Sequence, residues 1–224
     1  MKKCRLQQSS NQSSNKKMTA SNAAVVFVVD DDPLIRDSLK QLVASVGLQA
    51  ETFSSAGSFL NTELPDKSCC LVLDIRMPDL SGLDLQAELI KRKVSIPIIF
   101  ITGHGTVPMS VKAMKAGAVE FLEKPLEDQV LIDAIQYAIK QHTQIRVEQS
   151  AISMIKRRIR SLTSREHDIL LLVSAGTLNR HIADKLKMSE STVKTHRARI
   201  MGKMEVRSLA ELVRATEKAG MQHT

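Results

Sequence analysis

The chain has 224 residues, 43% of them hydrophobic and 25% charged, a composition in which two folded units of about 100 residues each are the natural expectation. No run approaches the ~18 apolar residues of a membrane helix, and the basic start lacks the apolar core of a secretory signal. Three cysteines, Cys4, Cys69 and Cys70, two of them adjacent and none in a CxxC pair, fit neither a disulfide framework nor a zinc site and point to a reduced, cytoplasmic setting.

The net charge of +8 is unevenly spread. Residues 1–22 carry five basic and no acidic side chains and read as a disordered tail, with Met18 as an alternative start. Residues 23–126 carry 10 basic and 13 acidic groups, whereas residues 161–224 carry 11 and 7. A basic C-terminal part suits a phosphate-rich partner.

The first element is AVVFVV at 24–29, a continuous β-branched run expected of a strand buried on both faces. Residues 34–46 place Leu34, Ile35, Leu39, Leu42, Val43 and Val46 on a helical face that Gly47 ends. The alternation repeats, with strands predicted near 49–53, 69–73, 97–101 and 118–122. Helices are predicted near 56–62, 82–92, 106–116 and from 126 onward. Cys69 and Cys70 open the third strand as small buried residues. Five strand–helix alternations imply an α/β unit with a parallel sheet and helices on both faces.

No Gly or Pro falls between Leu126 and Ala175. The fifth helix either runs on as a linker to about Arg160 or ends near His142 in a polar coil. Beyond it the sequence reads as all-helical. Thr163-Ser164-Arg165-Glu166 is a capping box, Gly176 ends the first helix, Asn179–Leu186 forms a second and Ser189 caps a third. Arg207–Ala219 forms a fourth.

Ligands of an open parallel sheet bind beyond the carboxyl ends of its strands. Those ends here carry Asp30, Asp31 and Asp32, then Asp74, Thr102 and Lys124. Clustered carboxylates repel unless a cation sits among them, and Mg²⁺ suits an incomplete oxygen shell shared with a phosphate. One carboxylate can then take a phosphoryl group, with Lys and Mg²⁺ neutralising its oxygens. Each group alone has an ordinary reading: DDDP is a helix-capping cluster, and a lone Thr or Lys at a strand end carries no message. The joint placement on one rim is what points to chemistry.

The motifs VVDDDP, LVLDIRMPDLSG, FITGHG and EFLEKP resemble the receiver domain of response regulators of the FixJ/NarL type, over roughly residues 24–140. The resemblance implies a flavodoxin-like fold with strand order 2-1-3-4-5. It implies Asp74 as phosphoacceptor, Asp30 and Asp31 as the acidic pair, and Mg²⁺ on Asp31, Asp74 and the backbone carbonyl of Arg76. Thr102 and Phe121 correspond to the switch pair, Lys124 to the phosphate-binding lysine, and Lys124-Pro125 to a cis peptide. Many receivers carry Tyr where this chain has Phe121, which lacks the hydroxyl. Arg76 and His104 flank the pocket, where they either set the access of hydrolytic water or merely solvate the surface.

In the third C-terminal helix, a rotation of ~100° per residue groups Val193, Ile200 and Met204 inward, with Arg197 beside them. Ser191, Lys194, Thr195, Ala198 and Arg199 fall opposite, a basic face with a small residue that a major groove accepts. Basic helices also occur as plain solvated faces. The segments LTSRE, IADKL, SESTVKTHRARIMGKM and RSLAELV resemble the LuxR-type (GerE) DNA-binding domain over roughly residues 158–223. That resemblance implies four helices with Asn179–Ala198 as the DNA-binding motif. The implied contacts are Ser191, Thr192, Lys194, Thr195, Arg197, Ala198 and Arg199. Arg197 is expected to reach a phosphate or an acidic neighbour, and Lys156, Arg157, Arg158 and Arg160 either meet phosphates or solvate a linker.

The expected organisation is a tail at 1–22, a receiver at 23–140, a helical linker at 141–160 and the small all-α helix-turn-helix domain at 161–224. The expected function is transcriptional control by phosphorylation of Asp74. The expected partners are a sensor histidine kinase, promoter DNA and a second copy of the chain, with no membrane. A phosphatase using Asp74 would need a second acid at Arg76, which cannot serve, so no enzyme is expected. A regulator that uses its receiver only to oligomerise is the alternative.

Overall fold

A computed structural model of the protein describes residues 24–221. The tail expected over 1–22, Met18 and Cys4 lie outside the described residues. The chain divides into two compact units between Gln144 and Ile145.

The first unit alternates β1 (Val25–Val29), α1 (Pro33–Ser45), β2 (Gln49–Phe53), α2 (Ala56–Leu60), β3 (Cys69–Asp74), α3 (Gly82–Lys91), β4 (Ile98–Thr102), α4 (Val107–Lys115) and β5 (Glu120–Glu123). The helix α5 (Asp128–Arg160) follows and contains the division between the units. Residues 141–160 are therefore helical, and no coil begins at His142. The sheet is parallel throughout, in the order β2-β1-β3-β4-β5 that the receiver resemblance implies.

Every residue of β1, β3 and β4 is buried, as their unbroken apolar runs require of strands covered on both faces. Alternate side chains build two cores. Phe27, Leu71, Leu73 and Phe100 pack with Phe59 of α2 and with Leu85 and Leu89 of α3. Val26, Val28, Cys70, Val72, Ile99 and Ile101 pack with Leu39 and Val43 of α1 and with Leu131 and Ile135 of α5. Near the unit's edge the buried His142 of α5 accepts the Cys69 N–H on Nδ1 at 2.8 Å.

Two expected core positions are outside it. Leu34 is 77% exposed and Val46 38% exposed. Leu34 lies about 100° from Ile35 around the helix, off the buried stripe, and Val46 is the C-cap residue beyond the last full turn. Asp32 caps α1 by accepting the Leu34 N–H at 2.8 Å, with Pro33 opening the helix. Gly82 opens α3, and a Cβ there would lie 2.3 Å from the Asp74 carbonyl oxygen, so only glycine lets this helix abut the end of β3.

The second unit contains the end of α5 and α6 (Ser164–Ser174), α7 (Asn179–Leu186), α8 (Glu190–Met204) and α9 (Leu209–Lys218). The Thr163–Glu166 capping box is formed in both directions. Ser208 caps α9, which starts two residues later than the apolar pattern predicts. Ile169, Leu170, Val173, Ile182, Val193, Ile200, Met204 and Leu212 form its core, against which Ile155 and Ile159 of α5 also pack. Among the described residues no helix is long and apolar enough to cross a membrane.

Candidate functional site

Parallel strands end on one side of a sheet, so β1, β3, β4 and β5 deliver their terminal groups to one rim. Asp74 and Thr102 are the last residues of β3 and β4, Asp30 follows β1, and Lys124 follows β5. The Lys124 Nζ lies 2.7 Å from Asp30 Oδ2 and 2.9 Å from Asp74 Oδ1. One ammonium thus bridges two carboxylates that are almost wholly buried, at 1% and 4% exposure. The remaining oxygens are also held: Asp32 N–H donates to Asp30 Oδ1 at 2.9 Å, and Arg76 N–H donates to Asp74 Oδ2 at 2.7 Å.

Burial pushes the Asp74 carboxyl above its ordinary value, and the Lys124 hydrogen bond and charge only partly offset this. Burial also disfavours the Lys124 ammonium, but hydrogen bonds to Asp30 and Asp74 outweigh it and leave the lysine above its ordinary value. Lys124-Pro125 is a cis peptide. Thr102 is fully buried, its Oγ1 accepts the His104 N–H at 3.3 Å, and its carbonyl accepts the Lys124 N–H at 2.8 Å. Phe121 is half-buried, 6.4 Å from Phe100 between ring centroids. Arg76 and His104 are exposed.

Asp30, Asp74 and Lys124 are therefore drawn together, with Thr102 fastened beside them. Asp31 is exposed, and its carboxylate enters none of these bonds. Among the described residues no three His, Cys, Asp or Glu side chains gather as a metal cluster. Two carboxylates and the neighbouring peptide carbonyls are nevertheless the hard oxygen donors that Mg²⁺ takes while keeping several waters. Sequence reasoning passed over Arg36, whose Nη1 lies 2.8 Å from the Asp30 carbonyl oxygen and 2.9 Å from that of Asp31. Its partners are backbone atoms, so no side-chain motif announces it.

In the second unit, α7 and α8 form a helix-turn-helix. Val193, Ile200 and Met204 are buried, while Ser191, Thr192, Lys194, Thr195, Ala198 and Arg199 are exposed along the other side of α8. Thr192 also serves the N-cap, its Oγ1 lying 2.8 Å from Ser189 Oγ. Arg197 is half-buried and donates to Asn179 Oδ1 on α7 at 2.5 Å, so its partner within the domain is an amide oxygen and not a carboxylate. Of the linker cations, Arg158 is engaged within the unit: it donates to the Met204 carbonyl at 3.2 Å and pairs with Glu205. Lys203 meets Glu166 at 2.6 Å, and that hydrogen bond, with the Thr163 amide, holds the Glu166 carboxyl at about 2.

A parallel sheet with a charge-compensated acidic rim, in one chain with a helix-turn-helix, is the layout of a signal-receiving domain coupled to a DNA reader. Residues 26–136 match the response regulator receiver domain, and residues 160–216 match the bacterial regulatory proteins of the luxR family. Nodulation protein W of Bradyrhizobium diazoefficiens is 47% identical over 202 residues, spanning 90% of this chain and 89% of that protein. The transcriptional regulatory protein FixJ of Rhizobium meliloti is 42% identical over 195 residues, spanning 87% and 96%. The solved structure of the response regulator StyR superposes with a TM-score of 0.79 at 46% identity, over 88% of this chain and 99% of that one. The chain belongs to the two-component transcriptional response regulators that join a receiver to a LuxR-type DNA-binding domain.

Proposed function

We propose that Asp74 accepts a phosphoryl group from a sensor histidine kinase and that this modification controls binding of the C-terminal domain to promoter DNA. The observation that carries the reading is the Lys124 ammonium set between Asp30 and Asp74. An Asp74 oxygen attacks phosphorus, the bond from phosphorus to the donor imidazole nitrogen breaks, and that nitrogen keeps the electron pair. Lys124 bears on the transferred oxygens as charge develops there. Asp31, Asp74 and the Arg76 carbonyl, with Asp30 completing the acidic pair, are the groups that would hold Mg²⁺, which when bound would supply further charge neutralisation at those oxygens.

The new oxygens offer acceptors to Thr102. As its side chain turns, it vacates space that Phe121 enters, and the surface around α4, β5 and α5 changes shape. Both side chains border Gly105: a Cβ there would lie 3.2 Å from Thr102 Cγ2 and 3.0 Å from Phe121 Cε1.

The working division is a receiver at 23–140, a linker at 141–160 and a DNA-binding domain at 161–224. Lys194, Thr195, Ala198 and Arg199 read base edges from the exposed side of α8, and Ser191 and Thr192 meet the backbone near its start. Arg197 orients α8 through Asn179. Phosphorylation promotes a cytoplasmic homodimer that meets half-sites about one DNA turn apart, ~34–36 Å. The protein transfers no group onward and is not an enzyme. Incubation with a small phosphodonor and Mg²⁺ tests the reading. A stable acyl-phosphate on the wild type, absent in Asp74→Asn together with phosphodonor-stimulated DNA binding, is the expected result. Stimulation that survives Asp74→Asn favours a phosphorylation-independent regulator.

A further inference from the structure

Arg36 lies in the first turn of α1, four residues after the capping Asp32. Helical side chains lean back toward the N-terminus, so its guanidinium reaches over the β1–α1 loop. There the two hydrogens of Nη1 meet two successive carbonyls, Asp30 O at 2.8 Å and Asp31 O at 2.9 Å. Those carbonyls belong to the two planar peptide groups that flank the Asp31 Cα. Fixing both planes fixes the direction in which Asp31 projects its Cβ. Asp30 is tied independently, through Lys124 and the Asp32 amide. The backbone on either side of Asp31 is thus pinned, while its exposed carboxylate enters none of the bonds that pin it.

We infer that Arg36 is a positioning residue for the cation site: by clamping the Asp30 and Asp31 carbonyls it aims the Asp31 carboxylate at the metal. This rests on the proposed Mg²⁺ pocket. The guanidinium fits the task because its donors lie in one rigid plane. Its charge makes the inference sharp. Electrostatics alone says that deleting a cation beside an acidic pocket strengthens binding of another cation. Loss of position predicts the opposite sign.

The test is an amide chemical-shift titration of the full chain with MgCl₂, beside a thermal melt in EDTA. Arg36→Met keeps the stem and removes the donors. Removing a group that orients a metal ligand typically weakens binding about 10–100-fold, and a loss of at least about tenfold is expected here with the metal-free melt near that of the wild type. Arg36→Lys keeps the charge but not the planar double donor, and is expected to bind Mg²⁺ more weakly than the wild type. It serves as the readout should the Met variant show no folded baseline. Wild-type-like or tighter Mg²⁺ binding by the folded Met variant, or by the Lys variant in its place, overturns the inference while leaving the pocket intact. A wild-type chain whose spectrum ignores MgCl₂ overturns the pocket and the inference together.

Discussion

Replacing Glu166 with Gln removes one charge and nearly preserves shape. The wild-type Oε2 takes the Lys203 ammonium at 2.6 Å and the Thr163 amide at 2.8 Å. These bonds, the lysine first, lower the carboxyl from 4.5 to about 2. At about 1.36 kcal/mol per pH unit, complete conversion of that drop amounts to roughly 3 kcal/mol. Lys203 keeps 38% of its side chain exposed, and solvent screens the pair. We therefore expect Glu166→Gln to cost about 1–2 kcal/mol at neutral pH. Because the folded value lies below the unfolded one, the contribution is complete above pH 4.5 and is lost as pH falls toward 2. Denaturant unfolding followed by circular dichroism, with hydrogen exchange read at α6 and α8, measures the difference between wild type and variant. The gap should be constant from about pH 5 to about pH 8 and should close below pH 4.5. A gap absent at neutral pH, or equally large near pH 2, refutes the ion-pair account.

Two further outcomes follow from packing. At Gly105 a Cβ would lie 2.6 Å from Glu123 Oε1 and 3.0 Å from a Phe121 ring carbon, whereas at Gly103 it would meet nothing within 4 Å. Gly105→Ala is therefore expected to change the ratio of DNA affinities with and without phosphodonor severalfold, and Gly103→Ala to leave it unaltered, as read by fluorescence anisotropy. Burial pushes the Cys70 thiol far above its ordinary value, with the adjacent Cys69 adding to the effect. Native protein at about pH 8 should leave Cys70 unmodified by iodoacetamide in peptide mass spectra; rapid native alkylation there would contradict a closed core.

The central strands were legible because burial on both faces forces unbroken apolar runs, and β1, β3 and β4 have them. Asn179–Leu186 was legible to the residue, because its inner face ends at Leu186 and Ser189 caps the next helix; the structure adds that Lys187 closes it in a left-handed conformation. The edge was harder. The pattern starts β5 at 118, but Ala118 and Val119 belong to the approach, and the strand proper is only Glu120–Glu123. Leu34 misled because apolar identity was counted without its angle around the helix. At the rim, the identities of Asp30, Asp74, Thr102 and Lys124 could be read once the sheet was assumed parallel. That Lys124 bridges two carboxylates could not, since the spacing of 94 and 50 residues carries no distance information. Arg36 escaped because it donates to carbonyl oxygens, and every residue has one; Arg158 was singled out among the linker cations, but its Met204 carbonyl and Glu205 partners, 46 and 47 positions away, were not foreseen.

The clasp at the end of α5 bears on how the DNA-reading half could be cut free. The family match there opens at residue 160, and the expected all-helical domain opens at Ser161. A fragment started at either point would lose Ile155 and Ile159 from beneath its helices, and Arg158 from the Met204 carbonyl. The last turn of α8 would then lack a donor that sits 46 positions earlier in the chain. Proteolysis that spares this half should therefore nick upstream of Ile155, leaving a stub of the long helix attached.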